Sequence, residues 1–178
     1  MIRGVRLLSG GPFHGPAHTC ACVQGDNLAL HTALRDAEDG YVIACDAAGD
    51  LDHGYFGELM TAAAISRGIR GLVIDGAVRD VDALQERRFP TVAAGLCPFP
   101  GVKAAVGSVG EPIEIRGLRV VRDDVIVADA DGVVVVRQAS WDDVLQRVHE
   151  LQAKEENILR ELESGETLWN LLHLVDAE

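Results

Sequence analysis

A single α/β domain is the fold class that this 178-residue sequence predicts, and three observations carry it. Two apolar runs, YVIACDA (41–47) and GLVID (71–75), have the length and composition of buried strands, and each leads through a loop towards a helical stretch. From Gly101 to Arg137 short β-type runs alternate with glycine-marked turns, and from Ala139 onwards one long helical pattern takes over. The length is enough for one core and short for two, and no internal repeat, low-complexity segment or linker interrupts it.

The elements follow in order. AHTCACV (17–23) reads as a strand, and Asp26-Asn27 then offers an N-cap for a helix through about Ala37. The strand at 41–47 ends at Asp46 in a loop, AAGDLDHG. The next helix starts near Gly54, runs through GELMTAAAISRG and finds a C-cap in Gly68. GLVID is the third strand, GAVRD a loop, VDALQER a short helix, and FPTVAAG the start of another strand. EPIEIRG, LRVVRDD, VIVADADG and VVVVR supply the short strands of the second half. In the last long helix Ser140 is the N-cap, with Asp142 and Asp143 in the first turn. Its apolar stripe is Trp141, Val144, Leu145, Val148, Leu151, Ile158 and Leu162; Gly165 ends it, and TLWNLLHLV forms a last amphipathic piece.

Composition narrows the function. The chain is 48% hydrophobic and 25% charged, with a net charge of −12 and no Lys/Arg cluster, so direct nucleic-acid binding through phosphate neutralisation is not expected. An acidic surface suits a divalent cation, whereas an anionic substrate would need a local Arg. No apolar run reaches membrane-spanning length, and the N-terminus lacks the apolar core of a signal peptide. Cys20, Cys22, Cys45 and Cys97 read as reduced core thiols of a cytoplasmic protein, although Cys20-x-Cys22 would put two sulfurs on one strand face, a weak metal signal. The six histidines show no zinc-ligand spacing and read as structural or solvent-facing, and no Walker loop, dinucleotide fingerprint or nucleophile elbow is present.

The stretch that carries chemistry is residues 57–80. Gly57-Glu58-Leu59-Met60 lies at or near a helix start, where unpaired backbone N–H groups can grip a carboxylate. Arg79 and Asp80 leave the end of a buried strand side by side, at the sheet edge where ligands bind. An Arg can hold a carboxylate bidentately and stabilise a developing enolate oxygen, and an Asp beside it is a hard oxygen ligand for Mg²⁺ or Mn²⁺. The bland alternative is that Asp80 caps the following helix while Arg79 pairs on the surface. Lys103 and Lys154, the sequence's two lysines, stand in a glycine-flanked loop and a charged helix, so a Schiff-base route is not expected.

The run GELMTAAAISRGIRGLVIDGAVRDVDAL (57–84) is similar to the core signature of the RraA-like family. That family includes 4-hydroxy-4-methyl-2-oxoglutarate / 4-carboxy-4-hydroxy-2-oxoadipate aldolases, regulators of ribonuclease E activity, and proteins once labelled dimethylmenaquinone methyltransferases. GPAHTC (15–20), DNLALHTAL (26–34) and DDVIVADADGVVVV (123–136) agree in the same order, so the likeness covers roughly residues 12–165. The resemblance implies a swivelling β/β/α fold on one domain, 1–178, with its core in 12–138 and a C-terminal helical segment in 139–178. It also implies a homotrimer or hexamer with sites between subunits.

By the same resemblance Asp80 holds the metal, and Arg79 contacts the pyruvyl part of an α-keto acid and stabilises its enolate. The segment at Gly57, Leu59 and Met60 gives backbone amides to the substrate carboxylate, and Glu58 is a second acid. Glu155 or Glu156 would be the acid lent by a neighbouring subunit, and Glu155 falls within the apolar stripe of its helix. The activity implied is metal-dependent cleavage to a pyruvate enolate, by retro-aldol reaction of a 4-hydroxy-2-oxo diacid, by decarboxylation of oxaloacetate, or by both. The alternative is a protein-binding regulator without catalysis. The sequence departs from the family pattern where an N-terminal helical segment is usual, at Arg137 in place of Pro, and at Arg122-Asp123-Asp124 in place of a P-G-D turn.

Overall fold

The computed structural model describes residues 1–175. The strands are β1 (Arg6–Ser9), β2 (Phe13–Ala21), β3 (Val42–Gly54), β4 (Gly71–Val78), β5 (Thr91–Leu96), β6 (Ser108–Val109), β7 (Ile113–Ile115), β8 (Leu118–Val120), β9 (Val125–Ala128) and β10 (Val133–Val136). The helices are α1 (Leu28–Asp36), α2 (Glu58–Ser66), α3 (Val81–Glu86), α4 (Trp141–Glu163) and α5 (Leu168–Leu171). Two compact units divide the chain, one ending at Gln138 and the other beginning at Ala139.

In the first unit the strands follow the order β1-β5-β4-β3-β2-β9-β10, with β6 alongside β2. The centre, β5-β4-β3-β2, is parallel, as strands joined through helices must be. The flanks β1-β5, β2-β9 and β9-β10 are antiparallel. Ile2 bridges Val133 on β10, so the chain ahead of β1 brings the two ends of the sheet together and curls it.

Alternation along the strands sends side chains to two cores. Ile43, Cys45, Leu72 and Ile74 face α1, α2 and α3, where Leu30, Ala33, Ala64 and Leu84 meet them. Val42, Ala44 and Val73 face the other way and are covered by Ile113, Ile115 and Val120 of the β7-β8 hairpin. Hairpin, sheet and helices make the β/β/α layering expected. Each fully buried Leu or Ile contributes roughly 1.5–3 kcal/mol of transfer free energy.

Several elements differ from their sequence reading. β3 does not stop at residue 47 but continues to Gly54; Gly49 and the aspartates that looked like a loop are accommodated as two bulges against β4. Consequently α2 begins at Glu58 and not near Gly54. β4 runs through Val78, because the residues read as a loop, Gly76 and Ala77, still pair with β3. β2 covers Phe13–Ala21, so Cys22 lies beyond its end; β1, at four residues, is too short to show alternation in the sequence. Asn27 and Ser140 occupy N-cap positions without a side-chain cap bond, and Asp26 instead accepts the Leu28 N–H at 2.8 Å. Of the departures from the family pattern, Arg137 pairs with the buried Asp124, and Arg122 lies 5.6 Å over the Tyr41 ring and donates to His18 Nδ1 at 3.0 Å.

In the second unit α4 carries no buried residue, and its apolar stripe is open, with Leu151 56% exposed. Among the described residues no helix is long and apolar enough to cross a membrane.

Candidate active site at the end of β4

The site is built where β4 ends. Tyr55 N–H donates to Ala77 O at 2.9 Å and Arg79 N–H to Phe56 O at 2.8 Å, so residues 54–57 run beside the strand's last residues. Phe56 stacks on Phe89, ring centres 5.7 Å apart, which anchors this segment in the helical core. The Arg79 side chain passes between two glycines. A Cβ on Gly54 would overlap Cys97 O and stand 2.9 Å from Arg79 Cβ, and one on Gly57 would overlap Asp80 Oδ2 and stand 2.9 Å from Arg79 Cγ. Both glycines are there because nothing larger fits.

Asp80 is the N-cap residue of α3, at φ 55° and ψ 39°. Left-handed backbone is costly for a residue with a Cβ, least so for Asn and Asp, and a local strain of this kind is characteristic of functional sites. Its carboxylate makes no cap bond to α3. Oδ2 instead accepts the Glu58 N–H of α2 at 3.1 Å and lies 3.2 Å from Arg79 Nη1. The bland reading of Asp80 as a helix cap is therefore not what the backbone achieves: the left-handed turn aims the carboxylate away from its own helix and at the neighbouring one.

The remaining site residues fall around this pair. The first bond of the α2 ladder runs from Thr61 N–H to Gly57 O, so the N–H groups of Leu59 and Met60 stand outside it, as the first turn of a helix requires. The Glu58 carboxylate pairs with Arg87 at 3.0 Å. Leu59 points outwards, 81% exposed, whereas Met60 is buried with its sulfur 3.7 Å from Asn27 Nδ2. A cavity of about 220 Å³ opens between Arg79, Asp80, Val81, Leu96, Cys97 and Pro98. A larger cleft of about 500 Å³ near Ser9, Gly10, Gln85 and Arg88 contains no carboxylate and no part of this cluster. Glu155 and Glu156 are exposed on α4, in the other unit. Cys97, read as a core thiol, is half-buried at the cavity and donates to Asp52 O at 3.1 Å.

Sequence reasoning missed Asp50, the hub beneath this region. Its Oδ2 accepts from Tyr55 Oη at 2.7 Å, from Gly25 N–H at 3.2 Å and from His53 Nδ1 at 2.9 Å, and Oδ1 accepts the Asp52 N–H at 2.8 Å. Burial alone would raise the Asp50 carboxyl, but the Tyr55, Asp52 and His53 donors hold it below the usual carboxylate value. The same burial, with Asp50 beside it, pushes the Tyr55 phenol far above its ordinary value. The signal in the sequence was the D-x-x-H-x-Y spacing of Asp50, His53 and Tyr55, hidden inside what looked like a turn.

Comparison with known proteins now decides the family. The RraA-like model, described as Aldolase/RraA, matches residues 2–135. The chain belongs to the RraA-like family. A relative from Halalkalibacterium halodurans, provisionally named 4-hydroxy-4-methyl-2-oxoglutarate aldolase, is 37% identical over 142 residues, which is 80% of this chain and 68% of that one. Among solved RraA-like structures, the RNA-processing inhibitor RraA from Thermus thermophilis superposes with a TM-score of 0.72 at 27% identity, covering 76% of this chain and 83% of that one. An uncharacterized protein from Pseudomonas syringae reaches 0.86 at 28% identity, covering 97% and 81%. The family thus contains proteins named as aldolases and others named as inhibitors of RNA processing. Among the described residues no three His, Cys, Asp or Glu side chains gather as a ready metal cage.

Proposed function

We propose that this RraA-like chain is a divalent-metal-dependent lyase that cleaves a C–C bond next to a 2-keto acid and leaves pyruvate. The bond broken belongs either to a 4-hydroxy-2-oxo diacid of the 4-hydroxy-4-methyl-2-oxoglutarate type or to oxaloacetate. The observation that carries this is the Asp80 carboxylate turned from its own helix onto the first N–H of α2, with Arg79 beside it.

The donor set suits Mg²⁺ or Mn²⁺. Glu58 N–H and Arg79 engage Asp80 Oδ2, which leaves Oδ1 as a hard oxygen ligand; the Glu58 carboxylate would serve as a second acid only on leaving its pair with Arg87. Waters, and Glu155 or Glu156 of a neighbouring subunit, would complete the shell. A cation held there would supply Lewis acidity to the substrate's oxygens.

The chain's own residues do the rest. The Leu59 and Met60 N–H groups at the start of α2 receive the substrate carboxylate, assisted by the helix dipole. The Arg79 guanidinium, held between Gly54 and Gly57, stabilises the negative charge that grows on the keto oxygen as the bond breaks. Glu58, released from its pair with Arg87, is the acid we assign to moving a proton by way of water. Leu96, Cys97 and Pro98 line the other side of the cavity.

We further propose a homotrimer or hexamer. Leu59 at the site and Phe99, 70% exposed, add to the open α4 stripe an amount of apolar surface that self-association would cover. The test is pyruvate release from oxaloacetate and from 4-hydroxy-4-methyl-2-oxoglutarate with Mg²⁺ or Mn²⁺, against an EDTA control. Metal-dependent release from either supports the lyase; none above the spontaneous rate from both favours a binding protein of the RNA-processing-inhibitor kind.

A further inference from the structure

Three of the four cysteines converge well inside the sheet, at the end of β2. Cys20 and Cys45 are directly opposite on the parallel pair β2-β3 and fully buried. Cys22, just past the end of β2, is half-buried, and its N–H donates to Asp46 O at 2.8 Å, which keeps the chain alongside β3. Its Sγ comes to 3.7 Å from Cys45 Sγ. The Leu30 N–H, in the first turn of α1, favours the charged form of the Cys22 sulfur. No disulfide joins these thiols. The active-site chemistry uses none of them.

We propose that Cys22 is a modification site: its sulfur reacts with small hydroperoxides and is then captured by the Cys45 sulfur as an intramolecular disulfide. The accessible member of the pair is the one that receives hydrogen bonds. Donation from the Cys20 and Cys45 thiols, and from the α1 N–H, draws the Cys22 thiol below its ordinary value. Cys45 moves the other way: its thiol is the one that donates, to Cys20 and Cys22, and with burial adding to this its proton is held. One thiol is thus prepared as nucleophile and the other as a protonated partner next to it.

The steps balance. The Cys22 thiolate attacks one peroxide oxygen; an S–O bond forms and the O–O bond breaks. The departing oxygen takes up the proton released when the thiol ionised and leaves as water or an alcohol. The sulfur has lost two electrons to the peroxide. Cys45 sulfur then attacks it, the S–S bond forms, the S–O bond breaks, and the hydroxyl leaves as water with the Cys45 proton. A disulfide bond of about 2 Å requires the sulfurs to close by less than about 2 Å.

The experiment treats the reduced full-length protein with equimolar hydrogen peroxide and follows it by intact mass and peptide mapping. The expected product has lost two hydrogens, gained no oxygen, and joins the Cys22 and Cys45 peptides. Cys45→Ser should stop at a sulfenic acid on Cys22 that dimedone traps, and Cys97→Ser should form the disulfide as wild type does. On the unmodified protein, iodoacetamide at neutral pH should label Cys22 roughly tenfold faster than Cys97, a comparison that needs no variant to fold. Equal or slower labelling of Cys22, a disulfide to Cys20, or a disulfide between two chains would each overturn the assignment.

Discussion

Gly57→Ala places one methyl group against the Arg79-Asp80 pair. The added Cβ would overlap Asp80 Oδ2 and come within 2.9 Å of Arg79 Cγ and 3.1 Å of its Nε. Ordinary contact begins at 3.4 Å, so the Asp80 carboxylate must withdraw by about 1 Å and the Arg79 stem by roughly half that, a displacement that can cost about 100-fold in rate when it moves catalytic groups. The Glu58 N–H bond to Asp80, 3.1 Å long, is stretched or lost. A bond to a charged acceptor contributes roughly 1.5–3 kcal/mol. With both side chains more than a third exposed, solvent screening reduces that to about 1 kcal/mol. The melting temperature should therefore fall by only about 2–4 °C, while metal-dependent pyruvate release falls by about 100-fold. Turnover within about threefold of wild type, in a folded variant, would refute the claim that Asp80 must sit on the α2 N-terminus.

Other consequences can be checked separately. Arg79→Lys keeps the charge but loses the planar fork, and should lower turnover by at least roughly tenfold with a near-normal melting temperature; an unaffected rate would mean another cation does the work. His18 is buried, and burial first, then Arg122, holds its imidazole below the ordinary value. A depressed imidazole favours the neutral folded form, so stability is complete above the unfolded value near 6.5 and is lost as pH falls below it. Wild-type melting temperature should drop between pH 7 and pH 5, and His18→Gln should drop less; parallel curves would contradict this. Leu151→Glu on the open stripe of α4 should give a smaller species in light scattering after size exclusion than wild type, and an unchanged mass would remove α4 from the assembly.

The parts of this molecule that the sequence made legible are those specified by near neighbours. Arg79 and Asp80 are adjacent, Gly57 to Met60 are consecutive, and the two groups are joined by one helix and one strand, so their meeting follows from a single helix-strand unit. Strand and helix order in the second half was marked by glycines. What was hidden depends on distant partners. Residues 48–54 look like turn chemistry, and only β4 alongside makes them a bulged strand. Asp50 gains its role from Gly25 and Tyr55, and Ile2 closes the sheet only because Val133 lies 131 residues away in sequence and next to it in space. Aspartate in a left-handed turn is likewise invisible in composition, yet it decides where the Asp80 carboxylate points.

The most direct measurement compares Mn²⁺ binding and metal-dependent pyruvate release in wild type and in Asp80→Asn. Asparagine keeps an oxygen to accept the Glu58 N–H, so the variant should fold like wild type. Asp80→Asn should bind Mn²⁺ much more weakly and release pyruvate no faster than the EDTA control. Wild-type binding and turnover in Asp80→Asn would contradict this and move the metal, and with it the chemistry, away from the end of β4.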